Sequence, residues 1–360
     1  MSRNKVVHLV VFGIGNVGST LIDQINDAEK GLDQQLNLEI KIAVVTNSKL
    51  SFITINKDKK DWALNFEKYS IPFGVEEVIQ FVKAEKYENV IAIDATTGVN
   101  FVQNYISLIE NGFHIISANK IANTLSLDFY DKLRDTLRRY NKYFLYETNV
   151  GAGLPIIETI KSLYDSGDQI ERVRGVFSGS LSYIFNRFSA ENVSFSNVLL
   201  NASKLGLTEP DAREDLSGND VARKLLILAR ELNLKVEFED VAIESLVPRQ
   251  FDGNTTLNQF QSNITVLDAP FLQRKQELPD GKVLRYVGEL NVPAKTLEVK
   301  LVAAESQSPL GQLKDADSIF EIFTESYGER PIVIQGAGAG KAVTARGLLS
   351  DIVKLSHNLN

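Results

Sequence analysis

The sequence predicts an α/β protein in which a doubly wound parallel sheet is joined to an α+β unit. Three observations carry this. Short apolar, β-branched runs alternate with stretches at helical spacing as far as Tyr146. A glycine-rich turn follows the first run. Beyond about residue 165, alternation of period two replaces the continuous runs. The length of 360 residues suits two domains at the usual prior of about 150 residues each.

The elements follow in order. Lys5 to Phe12 (KVVHLVVF) is a strand buried on both faces, because apolar residues occupy both parities. Leu21, Ile22 and Ile25 mark a helix, and Leu38 to Val45 is a second strand. Val78, Ile79 and Val82 mark a helix before a third strand, Val90 to Asp94. Val102, Tyr105, Ile106 and Ile109 repeat at helical spacing before a fourth, Phe113 to Ser117. Leu133 and Leu137 lie on the helix that precedes a fifth, Lys142 to Tyr146. Strands alternating with helices of this length make a parallel sheet. Glu171 to Phe177 then opens the second unit, and helices follow to Asn233. Leu284 to Leu290, Leu297 to Leu301 and Ile319 to Phe323 read as strands of an antiparallel or mixed sheet with helices on one face. Ile332 to Ile334 reads as a short strand, and Leu348, Leu349, Ile352 and Leu355 as a last helix. This tail is expected to pack back on the first unit. The expected boundaries are 1–155 with 335–360 for a dinucleotide-binding domain, and 156–334 for a substrate-binding and dimerisation domain.

Composition removes several classes. The chain has no cysteine, which excludes disulfides, thiolate catalysis and thiolate metal sites. Three histidines without an H-x-x-H pair argue against a histidine metal site. The formal charge of −7, with acids and bases interspersed, argues against nucleic acid or an anionic membrane as partner. No run of apolar residues is long enough to span a bilayer. The basic start, Arg3 and Lys5, leads into a strand rather than a signal peptide, so a cytoplasmic protein is expected.

The glycine turn is Gly13-Ile14-Gly15-Asn16-Val17-Gly18. It follows a strand and opens a helix, the context in which G-x-G-x-x-G binds a dinucleotide in a Rossmann-type fold. The first glycine permits the turn, the second admits the pyrophosphate to the backbone, and the third lets helix and strand approach. The helix start offers N–H donors to the phosphates. After the second strand, where an NAD site places a carboxylate for the ribose 2′-hydroxyl, this chain has Thr46-Asn47-Ser48-Lys49. A 2′-phosphate is therefore tolerated. Lys49 reads equally as a solvated loop residue.

Hydride transfer at a carbonyl needs a proton carrier at the oxygen. Tyr-x-x-x-Lys occurs nowhere among the 11 tyrosines. His8 and His114 lie inside strands, where each reads as a satisfied core residue, and His357 lies in the last helix. Lysines and carboxylates remain. Lys120 follows Ser117-Ala118-Asn119 at the carboxyl end of the fourth strand, where open α/β sheets bind ligands. Lys224 stands four residues after Asp220, which puts both on one helix face. That pair reads either as an exposed helix pair or, given Val221, Ala222, Leu225 and Leu226, as the edge of a buried face.

Longer stretches sharpen the reading. Leu205-Gly206-Leu207-Thr208-Glu209-Pro210-Asp211, continuing through Asp215 to Leu225, resembles the signature of homoserine dehydrogenases. Ser117-Ala118-Asn119-Lys120 resembles their S/T-A-N-K element, Glu147 to Pro155 their glutamate-bearing glycine loop, and Gly175 to Ile184 the turn beneath the substrate. Gly336 to Gly340, with Val343-Thr344-Ala345, resembles their closing element. The wording is most similar to the short, monofunctional, fungal-type form, so neither a kinase nor a regulatory domain is expected. Leu207 stands where the family has tyrosine, and Ser180 where it has threonine.

The resemblance implies an NAD(P)-dependent enzyme that reversibly reduces L-aspartate 4-semialdehyde to L-homoserine, in the biosynthesis of threonine, methionine and isoleucine. It gives Lys224 the role of general acid/base, with Lys120 between nicotinamide and substrate and able to share that role. Glu209 and Asp220 bind the substrate, with Asp215, Gly179 and Ser180 close by, and Thr96 and Gly340 lie along the cofactor with Gly13 to Gly18. The physics agrees: carboxylates suit an ammonium group, and a desolvated lysine beside a second cation exchanges protons near neutral pH. The resemblance further implies a sodium or potassium ion on Glu147 and the carbonyls of Val150, Ala152 and Leu154. It also implies a homodimer, formed by pairing of the second sheet, whose open face needs burial. Two alternatives stay open: another amino-acid or semialdehyde dehydrogenase on this scaffold, and a non-catalytic dinucleotide-sensing module.

Overall fold

A computed structural model describes residues 5–54, 61–72, 74–251, 253 and 255–359. The chain forms two compact units, Met1–Gly153 with Gly340–Asn360, and Leu154–Ala339. In the first, strands β1 (Lys5–Phe12), β2 (Leu38–Thr46), β3 (Leu50–Ile53), β4 (Ile71–Pro72), β5 (Val90–Asp94), β6 (His114–Ser117) and β7 (Phe144–Leu145) form one sheet in the order β4-β3-β2-β1-β5-β6-β7. From β2 through β7 the pairing is parallel, as the alternation of strands and helices predicts. The strand order reverses beside β1, which puts the ligand crevice at its carboxyl end.

Two features of this sheet escape the sequence reading. β3 and β4 add an antiparallel edge beyond β2. The turn into β3 is made by Asn47, whose Oδ1 accepts the N–H groups of Lys49 and Leu50, each at 2.8 Å. The expected fifth strand, Lys142 to Tyr146, shrinks to Phe144–Leu145. At its start Tyr143 donates its N–H to His114 Nδ1 at 3.1 Å, and at its end the backbone turns at Tyr146 into a short 3-10 helix, Glu147–Asn149.

Apolar layers sandwich the sheet. On one side Leu21, Ile22 and Ile25 pack with Val7, Leu9 and Leu348, Ile352 and Leu355 of the last helix, Lys341–His357. On the other, Val10, Ala92 and Ile115 pack with Val78, Tyr105, Leu108 and Leu133. The last helix thus completes the first unit, as expected of the tail.

The second unit holds β8 (Ile170–Val176), β9 (Val241–Ile243), β10 (Lys282–Asn291), β11 (Thr296–Glu305), β12 (Ser318–Thr324) and β13 (Ile332–Gly336), in the order β13-β12-β8-β10-β11-β9. All pairs are antiparallel except β11 with β9. The strand expected at Ile332–Ile334 is present, inside the expected bound of residue 334 for this unit. It pairs with β12 in this sheet, and the chain returns to the first unit at Gly340. Gly288 of β10 lies against Val221 of the helix Asn219–Glu231, 3.1 Å from where a Cβ would stand. The opposite face carries a polar row across four strands, Glu298, Glu289, Arg174 and Glu321, in which Arg174 pairs with Glu321 at 2.6 Å. Among the described residues, no helix is long and apolar enough to cross a membrane.

Candidate active site

Each unit carries half of the expected chemistry. In the first, β1 delivers the chain to Gly13, at φ +94°. A Cβ there would stand 2.9 Å from the Ala95 carbonyl, and one at Gly18 only 1.9 Å from the Gly13 oxygen. These two glycines are dictated by close backbone packing. Gly15 is different: its φ is −69°, and a Cβ would meet nothing within 4 Å. The space over Gly15, at the start of the helix Asn16–Leu36, suits a pyrophosphate lying against the backbone. Ile14 and Val17 are partly buried and Asn16 is exposed.

The loops after β5 and β6 flank this turn in the sheet order. Thr96 donates its N–H to Asp94 Oδ1 at 2.8 Å. Lys120 is half-buried and precedes the short helix Ile121–Thr124. Burial pushes the Asp94 carboxyl above its ordinary value, opposed by hydrogen bonds from Thr96, Tyr105 and Asn119. Gly340, at φ +116°, opens the last helix and accepts the Thr344 N–H and hydroxyl at 3.0 and 2.9 Å.

The glycine loop of this unit is tightly folded. Glu147 is 7% exposed and its N–H donates to Asp351 at 3.0 Å. Val150 is fully buried, and Gly151 and Ala152 both have positive φ, +78° and +53°. A Cβ on Gly347 would stand 3.0 Å from the Ala152 oxygen. Leu154, the first residue of the second unit, offers its carbonyl to the Ile156 N–H at 2.9 Å.

In the second unit, Lys224 lies on the helix Asn219–Glu231, one turn after Asp220. Its amine is 2.8 Å from Asp220 Oδ2 and donates to the Phe177 carbonyl at 2.6 Å. The residue is 7% exposed, while the Asp220 side chain is 46% exposed. Of the two readings open for this pair, the edge of a buried face is the one observed. The helix start is pinned by Gly218, at φ +78°, where a Cβ would stand 2.2 Å from Tyr286 Oη.

Ser178 caps the helix Gly179–Ala190. Its hydroxyl lies 2.9 Å from that of Ser180, and Ser180 donates to Asp215 Oδ1 at 2.6 Å. The other oxygen of Asp215 accepts the Glu209 N–H at 2.9 Å. Burial raises the Asp215 carboxyl above its ordinary value; Ser180 and the Glu209 N–H oppose this, and the charge of Asp220 adds to it. The structure thus joins Ser180, Asp215 and Glu209 in one cluster and Asp220 with Lys224 in another. Glu209 is exposed, and Gly179 packs near the Ala316 carbonyl. The Phe177 carbonyl, Asp94 and the Tyr105 hydroxyl are site features that the sequence motifs do not single out. For Asp94 a signal existed, since a carboxylate ends an otherwise apolar strand.

The first unit carries a glycine turn of the dinucleotide-binding class, and the second a buried lysine beside carboxylates. The comparisons narrow that class. Residues 155–353 match the homoserine dehydrogenase family model, and residues 13–147 match the NAD-binding domain of homoserine dehydrogenase. The chain belongs to the homoserine dehydrogenase family. It is 39% identical over 98% of its length to a bifunctional aspartokinase/homoserine dehydrogenase of Buchnera aphidicola, and 37% identical over 98% to that of Haemophilus influenzae. It spans 43% of each of those proteins, so these relatives are long bifunctional proteins, not the short form that the sequence wording resembles. Among solved structures, a Candida auris protein of unknown function superposes with a TM-score of 0.89 at 31% identity, over 99% of both chains. A hyperthermophilic archaeal homoserine dehydrogenase in complex with NADPH shares the fold, with a TM-score of 0.75 at 21% identity over 99% of both chains.

Proposed function

We propose that this chain catalyses the NAD(P)-dependent interconversion of L-aspartate 4-semialdehyde and L-homoserine. The observation that carries the reading is the buried Lys224 amine, held by Asp220 at 2.8 Å and the Phe177 carbonyl at 2.6 Å, on a unit whose family is homoserine dehydrogenase. The reduced nicotinamide, when bound, supplies hydride to the aldehyde carbon. Lys224 gives a proton to the aldehyde oxygen as the alcohol forms, and takes it back in the reverse direction. Glu209 and Asp220 hold the substrate ammonium, and Asp220 also orients Lys224. Asp215, through Ser180 and the Glu209 N–H, fixes the turn at Gly179 and the loop that carries Glu209. Gly13, Gly15 and Gly18 seat the pyrophosphate, while Thr96, Lys120 and Gly340 border the cofactor. The test is absorbance at the nicotinamide band with homoserine and each cofactor in turn, beside a panel of other amino alcohols. Cofactor binding with no turnover of homoserine would replace this reading with a sensing module.

Cofactor choice follows from the turn after β2. It carries no carboxylate, and Lys49 is exposed, so both NADPH and NADH are expected to be used. Asn47→Asp keeps the side-chain oxygen that makes the turn and adds a negative charge. The NADPH/NADH ratio of kcat/KM should fall about tenfold, an electrostatic loss of about 1.4 kcal/mol. An unchanged ratio assigns the discrimination to other residues.

The loop Glu147–Leu154 supports the further proposal of a sodium or potassium ion. A buried carboxylate and a turn with two successive positive-φ residues supply hard oxygen donors with a single formal charge. Glu147 and the carbonyls of Val150, Ala152 and Leu154 would hold it, with a structural role. Activity and thermal stability should be higher in sodium or potassium than in a bulky organic cation at equal ionic strength. Equal values in all three, with a silent Glu147→Gln variant, remove the site. A homodimer through the polar face of the second sheet is proposed on the same footing. Sedimentation at micromolar concentration checks it, and a monomer there overturns it.

A further inference from the structure

Three residues with no part in the proposed chemistry lock together the loops that have one. Asp94 ends β5, Ser117 ends β6, and Tyr105 opens the helix Tyr105–Glu110. All three are 0% exposed. Tyr105 Oη lies 2.6 Å from Asp94 Oδ2 and 2.8 Å from Ser117 Oγ. A phenol has one proton. The shorter contact, to a carboxylate, claims it, so the Ser117 hydroxyl donates to the phenol oxygen in return.

Each end of this chain of bonds carries a loop. Asp94 Oδ1 accepts the Thr96 N–H at 2.8 Å, and Ser117 Oγ accepts the Asn119 N–H at 2.9 Å. The Asn119 side chain closes the circuit, with Nδ2 at 3.3 Å from Thr96 Oγ1 and 3.1 Å from the Gly98 carbonyl. Its Oδ1 accepts the Ile121 N–H at 3.1 Å. The residues on both sides of Lys120 are therefore tied to the same closed ring.

The surroundings do not call for polar groups. The Tyr105 ring meets Phe101 and Phe144 edge-on at 6.1 and 5.6 Å, and the layer around it is apolar. A phenylalanine and a small apolar residue would fill such a space, and a buried charge is costly where packing alone would serve. What the polar ring supplies is direction: each bond has one donor, one acceptor and one length.

We propose that Asp94, Tyr105 and Ser117 are positioning residues that hold the Thr96 and Lys120 loops in a single register. This rests on the assignment of Thr96 and Lys120 to the cofactor half-site. A misplaced reacting group loses rate far more readily than it loses binding.

The test compares Tyr105→Phe, Ser117→Ala and the double variant in the full chain, at a temperature where all are folded. Each should lower kcat on the order of 10²-fold, the scale of a 1 Å misplacement. The dissociation constant for NADPH should stay within about threefold of the parent value, the split expected when orientation is lost and binding is kept. The double variant should be no slower than either single one, because a ring is broken only once. Amide hydrogen exchange at residues 96–98 and 118–121 should quicken together in every variant. Parent kcat together with unchanged exchange at both loops overturns the proposal, whatever happens to the melting temperature. Should Tyr105→Phe fold poorly, Ser117→Ala, which trims one oxygen, decides between the two outcomes. Lys120→Ala separates the two claims. If it keeps parent turnover, the catalytic assignment of Lys120 falls, and the exchange measurement still decides the ring.

Discussion

Lys224→Ala is expected to abolish turnover while leaving NADPH affinity nearly intact. The amine is buried and lies on the second unit, 2.8 Å from Asp220. On the proposed reading, removing it deletes the group that donates the proton to the substrate oxygen and leaves every residue of the glycine turn in place. Loss of a general acid/base costs on the order of 10²–10⁴ in rate. The variant also leaves Asp220 facing a small void, so an effect through the helix has to be told apart from one through the proton. Lys224→Arg separates these. It keeps the charge near Asp220 but holds its proton too tightly to exchange it near neutral pH. It should be almost as slow as alanine while melting near the parent temperature. A Lys224→Ala protein with near-normal kcat would end the assignment of Lys224 as the proton carrier.

The second large effect concerns two glycines three residues apart that should fail in different ways. At Gly18 a Cβ would stand 1.9 Å from the Gly13 oxygen, and backbone must move to admit it. Gly18→Ala should lose about 1–3 kcal/mol of stability by overpacking, and cofactor affinity with it. At Gly15 the backbone suits any residue, and a Cβ meets no protein atom within 4 Å. Gly15→Ala should therefore melt at the parent temperature. It should still bind NADPH at least tenfold more weakly, a loss of about 1.4 kcal/mol, because its methyl group occupies the space over the loop. Calorimetry and fluorescence titration of the pair check this. Parent affinity in Gly15→Ala would show that no phosphate lies against that residue.

What could be read in the sequence was what local spacing encodes. The glycine turn is six consecutive residues whose roles are set by two neighbouring elements, so strand, turn and helix announce it together. Lys224 and Asp220 are one helical turn apart, and the apolar residues between them signalled which way the helix faces. The β3–β4 edge was hidden because Asn47, the residue that makes its turn, lies where a cofactor loop was also expected. One stretch of polar residues supported both readings. The Asp94–Tyr105–Ser117 ring was hidden for another reason. Its members belong to two strands and a helix, and only the folded sheet brings their side chains within 3 Å. Residue spacing carries no record of such a meeting. For the short apolar run Ile332–Ile334, spacing carries no preference between sheets; pairing with β12 decides it.

The order of synthesis acquires a consequence from the last helix. Leu348, Ile352 and Leu355 share a core with Val7, Leu9 and Leu21, and the Lys5 amine donates to the carbonyls of Ser356 and Leu359. The nascent first unit therefore leaves the ribosome with one apolar face uncovered, and it waits for its own cover while Leu154–Ala339 is made. At about 5–20 residues per second that wait lasts on the order of ten seconds or more. The second unit has no such delay, since its sheet and helices are contiguous in the chain. It can mature first even though it is translated later, which reverses the usual amino-terminal-first sequence of events. Until the final turns emerge, the cofactor half of the protein is an open book with its spine still missing.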